Sequence, residues 1–244
     1  MLKAVTFDFW ETLVQDSAEN LRRQRRLRIE ALHRAVRRAG CELEESLVVE
    51  AYDRSERVLT ESFWSQDRDP RIEEQVRLVL EIVSPSVCET MPSAHFEEAL
   101  AGYIEPVLRL PPALCPGADE AVRALAARGI ALGIVSNTGR TPGIILRKIL
   151  ERYDLLRHFS VISYSDEVGY RKPGAEIFRR TLAGLATEPR HAAHVGDNPI
   201  ADVQGAQGIG MRGIHFAAAG TSGAAHADLV VTDLRQLVDR LLDT

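Results

Sequence analysis

The chain begins with one apolar segment that cannot form a stable structure by itself. Leu2–Phe9 is short, β-branched and aromatic, which predicts a buried strand that ends beside a carboxylate, Asp8. From about Asp16 to Pro112 the sequence predicts helices and no further strand. Because a lone strand is not stable, the opening strand has to pair with strands encoded about a hundred residues later. The chain therefore predicts a discontinuous sheet interrupted by a large helical insert.

The part of the chain after Pro112 alternates between segments typical of strands and segments typical of helices. The predicted strands are Ile130–Val135, Ser160–Tyr164, His191–Val195, Arg212–Phe216 and Leu229–Val231. The predicted helices are Asp119–Arg128, Gly143–Tyr153, Gly174–Leu185, Ile200–Gln207 and Leu234–Leu242. This alternation indicates an α/β fold with a doubly wound parallel sheet, covered by helices on both faces. We predict an α/β core domain of residues 1–15 plus 113–244 and an all-helical domain of residues 16–112.

The predicted insert contains four helices, and the first of them is rich in arginine. The helices are predicted at Ser17–Ala39, Glu44–Phe63, Pro70–Val83 and Ser93–Leu108. Gly40 is placed to end the first. Its arginines are Arg22, Arg23, Arg25, Arg26 and Arg28. We interpret this run as a solvated helix face; the alternative is that one of the arginines folds over a functional site and binds an anion.

Charge and cysteine content limit the classes of function. The 244 residues include 30 Lys+Arg and 35 Asp+Glu, a net charge of -5, which disfavours a nucleic-acid binder that depends on overall positive charge. No apolar run is long enough for a membrane span, and Asp8 argues against a signal peptide. Three scattered cysteines without a CxxC pair indicate a reduced, cytoplasmic protein. We expect a small-molecule substrate and no nucleic-acid or membrane partner, with a homodimer left open.

Four polar residues follow predicted strands from separate parts of the chain. Asp8 ends the first strand, Ser136 ends the second, Lys172 lies in the loop after the third, and Asp197 follows the fourth. In open α/β sheets, ligands bind at the edge where the strands reach their carboxyl ends. Each of these residues alone is unremarkable, because strand-end Asp residues often cap helices. Together they predict one site with two carboxylates, a hydroxyl and an ammonium.

This set, in this order, resembles the haloacid dehalogenase-like (HAD) hydrolase superfamily. The first motif of that family is DxDx[TV][LV], and residues 8–13 here are DFWETL. Ser136 matches the second motif, Lys172–Pro173 the third, and residues 196–202 the fourth motif, GDxxxxD. The resemblance spans essentially the whole chain and implies a Rossmann-like core. It also implies that the insert is a helical cap of the C1 type.

The resemblance implies a covalent phosphatase mechanism. Asp8 would be the nucleophile and form an aspartyl-phosphate, which divides one difficult displacement into two easier ones. Ser136 would hydrogen-bond the transferring phosphoryl oxygens, with Asn137 beside it. Lys172 would neutralise charge on both Asp8 and the phosphoryl group.

The resemblance also implies a magnesium site and a set of supporting residues. Asp8, Asp197 and the main-chain carbonyl of Trp10 would hold Mg²⁺, a hard cation that prefers oxygen ligands. Thr12 and the side chain of Trp10 would border the substrate. Thr12 and Asp202 would also orient the loop and the catalytic lysine, although turn and helix capping alone explain these two residues equally well.

Trp10 departs from the pattern of HAD phosphatases, which place an Asp there to protonate the leaving alcohol. An indole N–H donates a hydrogen bond but cannot act as an acid or base. Acid–base help contributes about 10²–10⁴-fold in rate, so its loss has consequences. Glu11 is adjacent, but neighbouring side chains leave a strand on opposite sides, and we do not expect it to replace the acid.

The sequence is compatible with three functions. The first is a Mg²⁺-dependent phosphatase of a small phosphorylated metabolite. The second is a 2-haloacid dehalogenase, because those relatives have Tyr at the position of Trp10 and halide departs without a proton. Asp197 and Asp202 argue against this alternative, because two uncompensated carboxylates would raise the pKa of Asp8. The third is a weakly active or non-catalytic binding protein on the same scaffold, against which the retained Lys172 argues.

Overall fold

The computed structural model of the chain describes residues 1–217 and 223–242, and its centre is a six-stranded parallel sheet. The sheet order is β5-β4-β1-β6-β7-β8, so the opening strand β1 lies in the middle, paired with β4 and β6. This confirms the predicted discontinuous α/β sheet. The strands are β1 Ala4–Phe7, β2 Val14–Gln15, β3 Ala113–Leu114, β4 Ala131–Ser136, β5 Val161–Tyr164, β6 Ala192–Gly196, β7 Arg212–Phe216 and β8 Leu229–Val231.

The helices divide into a group between β2 and β3 and a group interleaved with the main strands. The first group is α1 Ala18–Arg38, α2 Glu45–Ser62, α3 Ile72–Val83, α4 Pro85–Thr90, α5 Ser93–Ile104 and α6 Pro106–Arg109. The second is α7 Ala118–Ala127, α8 Gly143–Arg152, α9 Ser165–Val168, α10 Ala175–Gly184, α11 Gly205–Gln207 and α12 Gln236–Leu242. None of the helices among the described residues is long and apolar enough to span a membrane.

The sheet is covered on both faces because its strands alternate the direction of their side chains. On one face Val5, Phe7 and Ile134 belong to a buried cluster that also contains residues of α7, α8 and α12. On the other face Ala4 and Val135 belong to a second buried cluster, with residues of α10 and α11. All four residues of β1 are buried, as a central parallel strand requires.

The helical insert, residues 16–112, has a hydrophobic cluster of its own. Leu32, Val48, Leu80 and Tyr103 are buried in it and come from α1, α2, α3 and α5. At the two ends of the insert β2 and β3 pair as a short antiparallel ribbon, with Val14 opposite Leu114. The chain therefore enters and leaves the insert at one place.

Helix ends follow local chemistry, and the structure departs from the predicted helices at several places. Gly40 ends α1 as predicted, since it adopts φ +86°, a left-handed conformation that glycine tolerates. The single helix predicted at Ser93–Leu108 is wrong, because the chain forms α5 and α6 separately, divided just before Pro106, which has no N–H to donate. The sequence also missed α4 and the ribbon of β2 and β3. Ile200–Gln207, predicted as a helix, begins with a π-helical turn, Pro199–Gln204.

A buried carboxylate of the insert holds two loops of the α/β part. Asp69 Oδ2 lies 2.5 Å from Ser165 Oγ and 2.9 Å from Arg171 Nη1, and Oδ1 accepts a bond from Trp64 Nε1 at 2.9 Å. The Ser165 hydroxyl also accepts the N–H of Thr138 at 2.9 Å. Asp69 thus connects the insert to α9 and to the loop after α9, and through Ser165 to the loop after β4.

Two arginines cross the same boundary in opposite directions. Arg140, from the loop after β4, stacks on Tyr52 of α2 and donates to the hydroxyl of Tyr103 at 2.7 Å. Arg28 of α1 is buried and donates to Thr141 Oγ1 at 2.9 Å and to the Tyr103 carbonyl. The interpretation of the arginine run as a solvated face is therefore wrong for Arg28, which joins α1 to the loop after β4.

Asp69→Ala removes the shared acceptor of Trp64, Ser165 and Arg171 and leaves a largely buried guanidinium unpaired. Breaking a buried pair in this way costs about 3–5 kcal/mol, so we expect the free energy of unfolding to fall by that amount. Urea denaturation followed by tryptophan fluorescence measures it. Glu56→Ala is the control, because this carboxylate is exposed where it meets Arg140 and its loss costs about 0–1 kcal/mol. Equal losses in the two variants would contradict the role of Asp69.

Candidate active site

The four predicted polar residues come together at the carboxyl edge of the sheet. Asp8 directly follows β1, and its N–H donates to the carbonyl of Val195 in β6 at 2.9 Å. Ser136 is the last residue of β4, and Asp197 directly follows β6. Lys172 comes from the loop after α9, and its Nζ lies 2.8 Å from Asp8 Oδ1.

The Lys172 ammonium is buried between two carboxylates. Its Nζ lies 2.8 Å from Asp8 Oδ1 and 2.6 Å from Asp202 Oδ1, and only 2% of the lysine side chain is exposed. Burial alone would lower the pKa of Lys172, but Asp202 and Asp8 raise it above its ordinary value. Burial likewise opposes ionisation of Asp202, yet Lys172 and His194 hold its pKa well below the usual range. The lysine and Asp202 therefore stay charged.

For the carboxyls of Asp8 and Asp197, burial and nearby carboxylates outweigh the positive charge of Lys172, and their pKa values rise. Burial raises the pKa of Asp8, and the nearby Asp202 raises it further while Lys172 opposes both. For Asp197, burial, Asp8 and Asp202 together raise the pKa to about 7. These two carboxyls are thus crowded in a place where negative charge is poorly compensated by the protein alone.

The donor set of this site fits a hard divalent cation. Carboxylate oxygens of Asp8, Asp197 and Asp202 lie within 4.8 Å of one another. Both oxygens of Asp202 are engaged, Oδ1 by Lys172 and Oδ2 by the N–H of Asn198 at 2.9 Å. Asp8 and Asp197 therefore remain available to a cation, and a cation between them would relieve the repulsion that raises their pKa values.

Two buried hydroxyls at the site have no protein partner. Ser136 Oγ and Thr12 Oγ1 are both shielded from solvent, and neither forms a hydrogen bond within the described residues. Buried polar groups are normally satisfied, so these two hydroxyls retain hydrogen-bonding capacity that a bound molecule can use. The position of Ser136 suits a hydroxyl that donates to a bound substrate.

The amide of Asn137 faces the main chain of Lys172. Asn137 Nδ2 donates to the Lys172 carbonyl at 3.0 Å, and Asn137 Oδ1 accepts the Lys172 N–H at 2.9 Å. This two-point contact fixes the backbone that carries the lysine. Substrate contact by Asn137 stays a prediction, whereas its hold on Lys172 is observed.

Trp10 packs on the α/β side of the molecule. Its ring meets Phe9 edge to face at a centroid distance of 5.1 Å, and the half-buried side chain borders the hydrophobic cluster of the sheet. Glu11 adopts a left-handed φ of +54° and is exposed, with its carboxylate 3.5 Å from the N–H of Asp16. The contribution of the Trp10 carbonyl to a metal site stays a prediction.

His194 is a site residue that the sequence analysis missed. It is fully buried in β6, where its Nε2 lies 3.1 Å from Asp202 Oδ1 and its Nδ1 lies 2.8 Å from the hydroxyl of Thr6. Burial lowers the pKa of His194, which favours a neutral ring that donates from Nε2 to Asp202. The signal in the sequence was a polar residue between the apolar residues Ala193 and Val195 of a predicted strand.

Gly196 is required by the close approach of Asp202 to the end of β6. A Cβ at position 196 would lie 2.1 Å from the Asp202 side-chain carbon, Cγ, which no side chain tolerates. The glycine therefore allows the carboxylate to reach beneath Lys172.

The sequence model of one protein family matches residues 2–210, and its description is haloacid dehalogenase-like hydrolase. The chain belongs to this family. The expected resemblance is therefore confirmed over most of the chain, and the Rossmann-like fold follows from it. The four-residue cluster lies at the carboxyl edge of the sheet, where open α/β folds bind their ligands.

Curated relatives match this HAD protein over part of its length. Haloacid dehalogenase-like hydrolase domain-containing protein 3 of Mus musculus is 40% identical over 95 residues, 39% of this chain and 36% of that protein. Phosphoserine phosphatase of Thermus thermophilus is 35% identical over 126 residues, 51% of this chain and 49% of that protein. The chain thus spans about half or less of the length of these curated relatives.

One solved structure resembles this HAD protein along its whole length. The 2-haloacid dehalogenase from Pseudomonas syringae pv. Tomato DC3000 aligns with a TM-score of 0.72 and 25% identity, covering 100% of this chain and 99% of that one. The similarity includes the helical insert as well as the sheet, so the insert is part of the shared architecture.

Asp202→Asn keeps the shape of the side chain but removes the charge that balances Lys172. Because one partner of a buried pair is lost, we expect destabilisation of about 3–5 kcal/mol. For a chain of this size that lowers the melting temperature by at least about 6 °C, measured by differential scanning calorimetry. Asp239→Asn, an exposed residue of α12, is the matched control and should change stability by at most about 0.5 kcal/mol. A melting temperature equal to that of the control would contradict the pairing.

Proposed function

We propose that this HAD protein is a Mg²⁺-dependent phosphatase of a small phosphorylated metabolite, with Asp8 as the nucleophile. The observation that carries the proposal is the buried Lys172 ammonium, 2.8 Å from Asp8, together with the Asp197 carboxylate on the same edge. The similarity to phosphoserine phosphatase of Thermus thermophilus over half of the chain supports the same reaction class.

The arrangement around Asp8 suits attack on phosphorus. Asp8 Oδ1 is held by the N–H of Phe9 at 2.7 Å and by Lys172 at 2.8 Å, which leaves Oδ2 as the attacking atom. A lone pair of Oδ2 forms the bond to phosphorus while the bond to the leaving oxygen breaks, which gives an aspartyl-phosphate on Asp8. Water then attacks phosphorus, releases inorganic phosphate and restores the Asp8 carboxylate.

Charge on the phosphoryl oxygens is stabilised by groups of fixed geometry. The Ser136 hydroxyl has no protein partner among the described residues and would donate a hydrogen bond to a phosphoryl oxygen. Lys172 supplies a full positive charge, which Asp202 holds in place. Asp8, Asp197 and the Trp10 carbonyl would hold Mg²⁺, which supplies further positive charge to the phosphoryl oxygens when bound. None of these groups needs to move when charge develops.

The helical insert, residues 16–112, is proposed to be the cap that selects the substrate. It has its own hydrophobic cluster, and it joins the α/β part through the ribbon of β2 and β3. Asp69 connects it to Ser165 and Arg171, next to the catalytic lysine. We further expect a cytoplasmic protein that acts on small molecules rather than on nucleic acid or membranes.

Trp10 favours a second candidate, a 2-haloacid dehalogenase. An aromatic residue at this position removes the acid that phosphatases use, and the Pseudomonas syringae dehalogenase shares the whole architecture at 25% identity. The acidic site argues against it, because the pKa of Asp197 is raised to about 7 beside Asp8 and the attacking carboxylate would be weakened without a cation. We therefore place the dehalogenase second.

Asp8→Asn removes the nucleophile and should abolish turnover of p-nitrophenyl phosphate. The wild-type protein should hydrolyse this ester with added MgCl₂ and lose the activity in EDTA, because Asp8 and Asp197 repel each other without the cation. Release of p-nitrophenol is the measurement. Turnover that survives both Asp8→Asn and EDTA would contradict the proposal. Chloride release from 2-chloropropionate in EDTA would favour the dehalogenase, and phosphate esters that bind but never react would favour a binding protein.

Trp10→Asp should restore activity on substrates with poor leaving groups. A carboxyl at this position can protonate a leaving alcohol, and such help is worth about 10²–10⁴-fold. We expect kcat for an alkyl phosphate to rise relative to kcat for p-nitrophenyl phosphate, whose leaving group needs little protonation. Trp10→Phe is the control, since it removes the indole without supplying an acid. An equal ratio of the two kcat values in Trp10→Asp and Trp10→Phe would contradict the proposal that position 10 is the place of the missing acid.

A further inference from the structure

A buried histidine outside the catalytic set contacts the main chain of the proposed metal ligand Asp197. His215 lies in β7, opposite Gly196 in the register of the parallel pair β6–β7. Its Nε2 lies 2.8 Å from the carbonyl oxygen of Asp197, and its Nδ1 lies 2.9 Å from the backbone nitrogen of Ala224. The ring thus bridges the loop after β6 and the segment that precedes β8.

The two partners define which ring nitrogen of His215 carries the proton. The N–H of Ala224 can only donate, so Nδ1 accepts. The carbonyl of Asp197 can only accept, so Nε2 carries the hydrogen and donates. The ring therefore has one direction of donation, from β7 toward the main chain of Asp197.

We propose that His215 is a positioning residue for Mg²⁺, acting through the main chain of Asp197. This inference rests on the proposed magnesium site. The Asp197 carboxylate must stay near that of Asp8 although burial and mutual repulsion oppose the arrangement. A hydrogen bond to the carbonyl of the same residue limits rotation of its backbone and so keeps the carboxylate in place. Outer partners of this kind typically contribute 10–100-fold to metal affinity.

A second histidine of the same region provides an internal comparison. His226 Nε2 lies 3.1 Å from the carbonyl of Pro199, two residues beyond Asp197, but His226 is exposed. Water can replace this contact at little cost. Water has no comparable access to His215, which is 5% exposed. His226 therefore serves as a control. It is also a histidine, and it also contacts a main-chain carbonyl just after β6.

Two substitutions separate the contacts of His215. His215→Asn places an amide oxygen near the position of Nδ1, where it can accept from Ala224, but it is too short to reach Asp197. His215→Gln can bring its amide nitrogen near the position of Nε2 and keep the bond to Asp197. Isothermal titration calorimetry with MgCl₂ alone measures affinity without turnover. We expect the dissociation constant to rise about 10–100-fold in the Asn variant and to stay near the wild-type value in His215→Gln and His226→Asn.

The ring of His215 in the wild-type protein provides a second readout. In a ¹⁵N-edited NMR spectrum of the histidine rings, identified by the signal missing in His215→Gln, His215 should show the Nε2–H form. Its signal should shift on addition of MgCl₂ while that of His226 does not. Unchanged Mg²⁺ affinity in folded His215→Asn, or a His215 signal unaffected by Mg²⁺, would overturn the inference. Absence of Mg²⁺ binding in the wild type would instead overturn the proposed metal site itself, and the inference with it.

Discussion

The burial of the Lys172 ammonium between Asp8 and Asp202 is the interaction on which the rest of the site depends. Removing a charge from water costs several kcal/mol, and only well-placed opposite charges offset that cost. Asp202 supplies one such charge because Gly196 lets it approach, and His194 and Asn198 use its remaining acceptor capacity. The lysine is consequently fixed before a substrate arrives, as electrostatic stabilisation requires.

The sheet and the polar cluster at its carboxyl edge could be predicted from the sequence because their signals are local. Each strand is a short apolar run, and the carboxyl ends of parallel strands meet at one edge, so Asp8, Ser136 and Asp197 had to lie close together. His194 and His215 could not be predicted as site residues, because their contacts are not local in the sequence. Their importance comes from the strand register, which pairs His194 with Thr6 and His215 with Gly196, and no local pattern encodes that pairing.

The contacts of the insert were unpredictable for a related physical reason. Asp69 and Arg28 have the appearance of surface residues in a charged helical segment, and only the packed structure buries them. Their partners Ser165 and Thr141 are about a hundred residues away in the chain. Thr141 lies in the loop that follows Ser136, and Ser165 begins α9, which precedes the loop of Lys172. Hydrogen bonds therefore join the insert to segments that are next to the site in the chain. Asp69 thus contacts Arg171, the residue before Lys172, and through Ser165 it is linked to Thr138, two residues after Ser136.

Because position 10 holds Trp10 and not a carboxyl, the proposed site has no acid for the leaving group. Lys172, Ser136 and the proposed Mg²⁺ all stabilise negative charge on the transferring group, but none of them delivers a proton to the leaving oxygen. Glu11 does not compensate, because its exposed carboxylate lies beside Asp16. The leaving group must then depart as an anion of its own accord. Under the proposed mechanism, the acidity of the leaving group would be the first limit on substrate choice, and the insert, as the proposed cap, would select among those that remain.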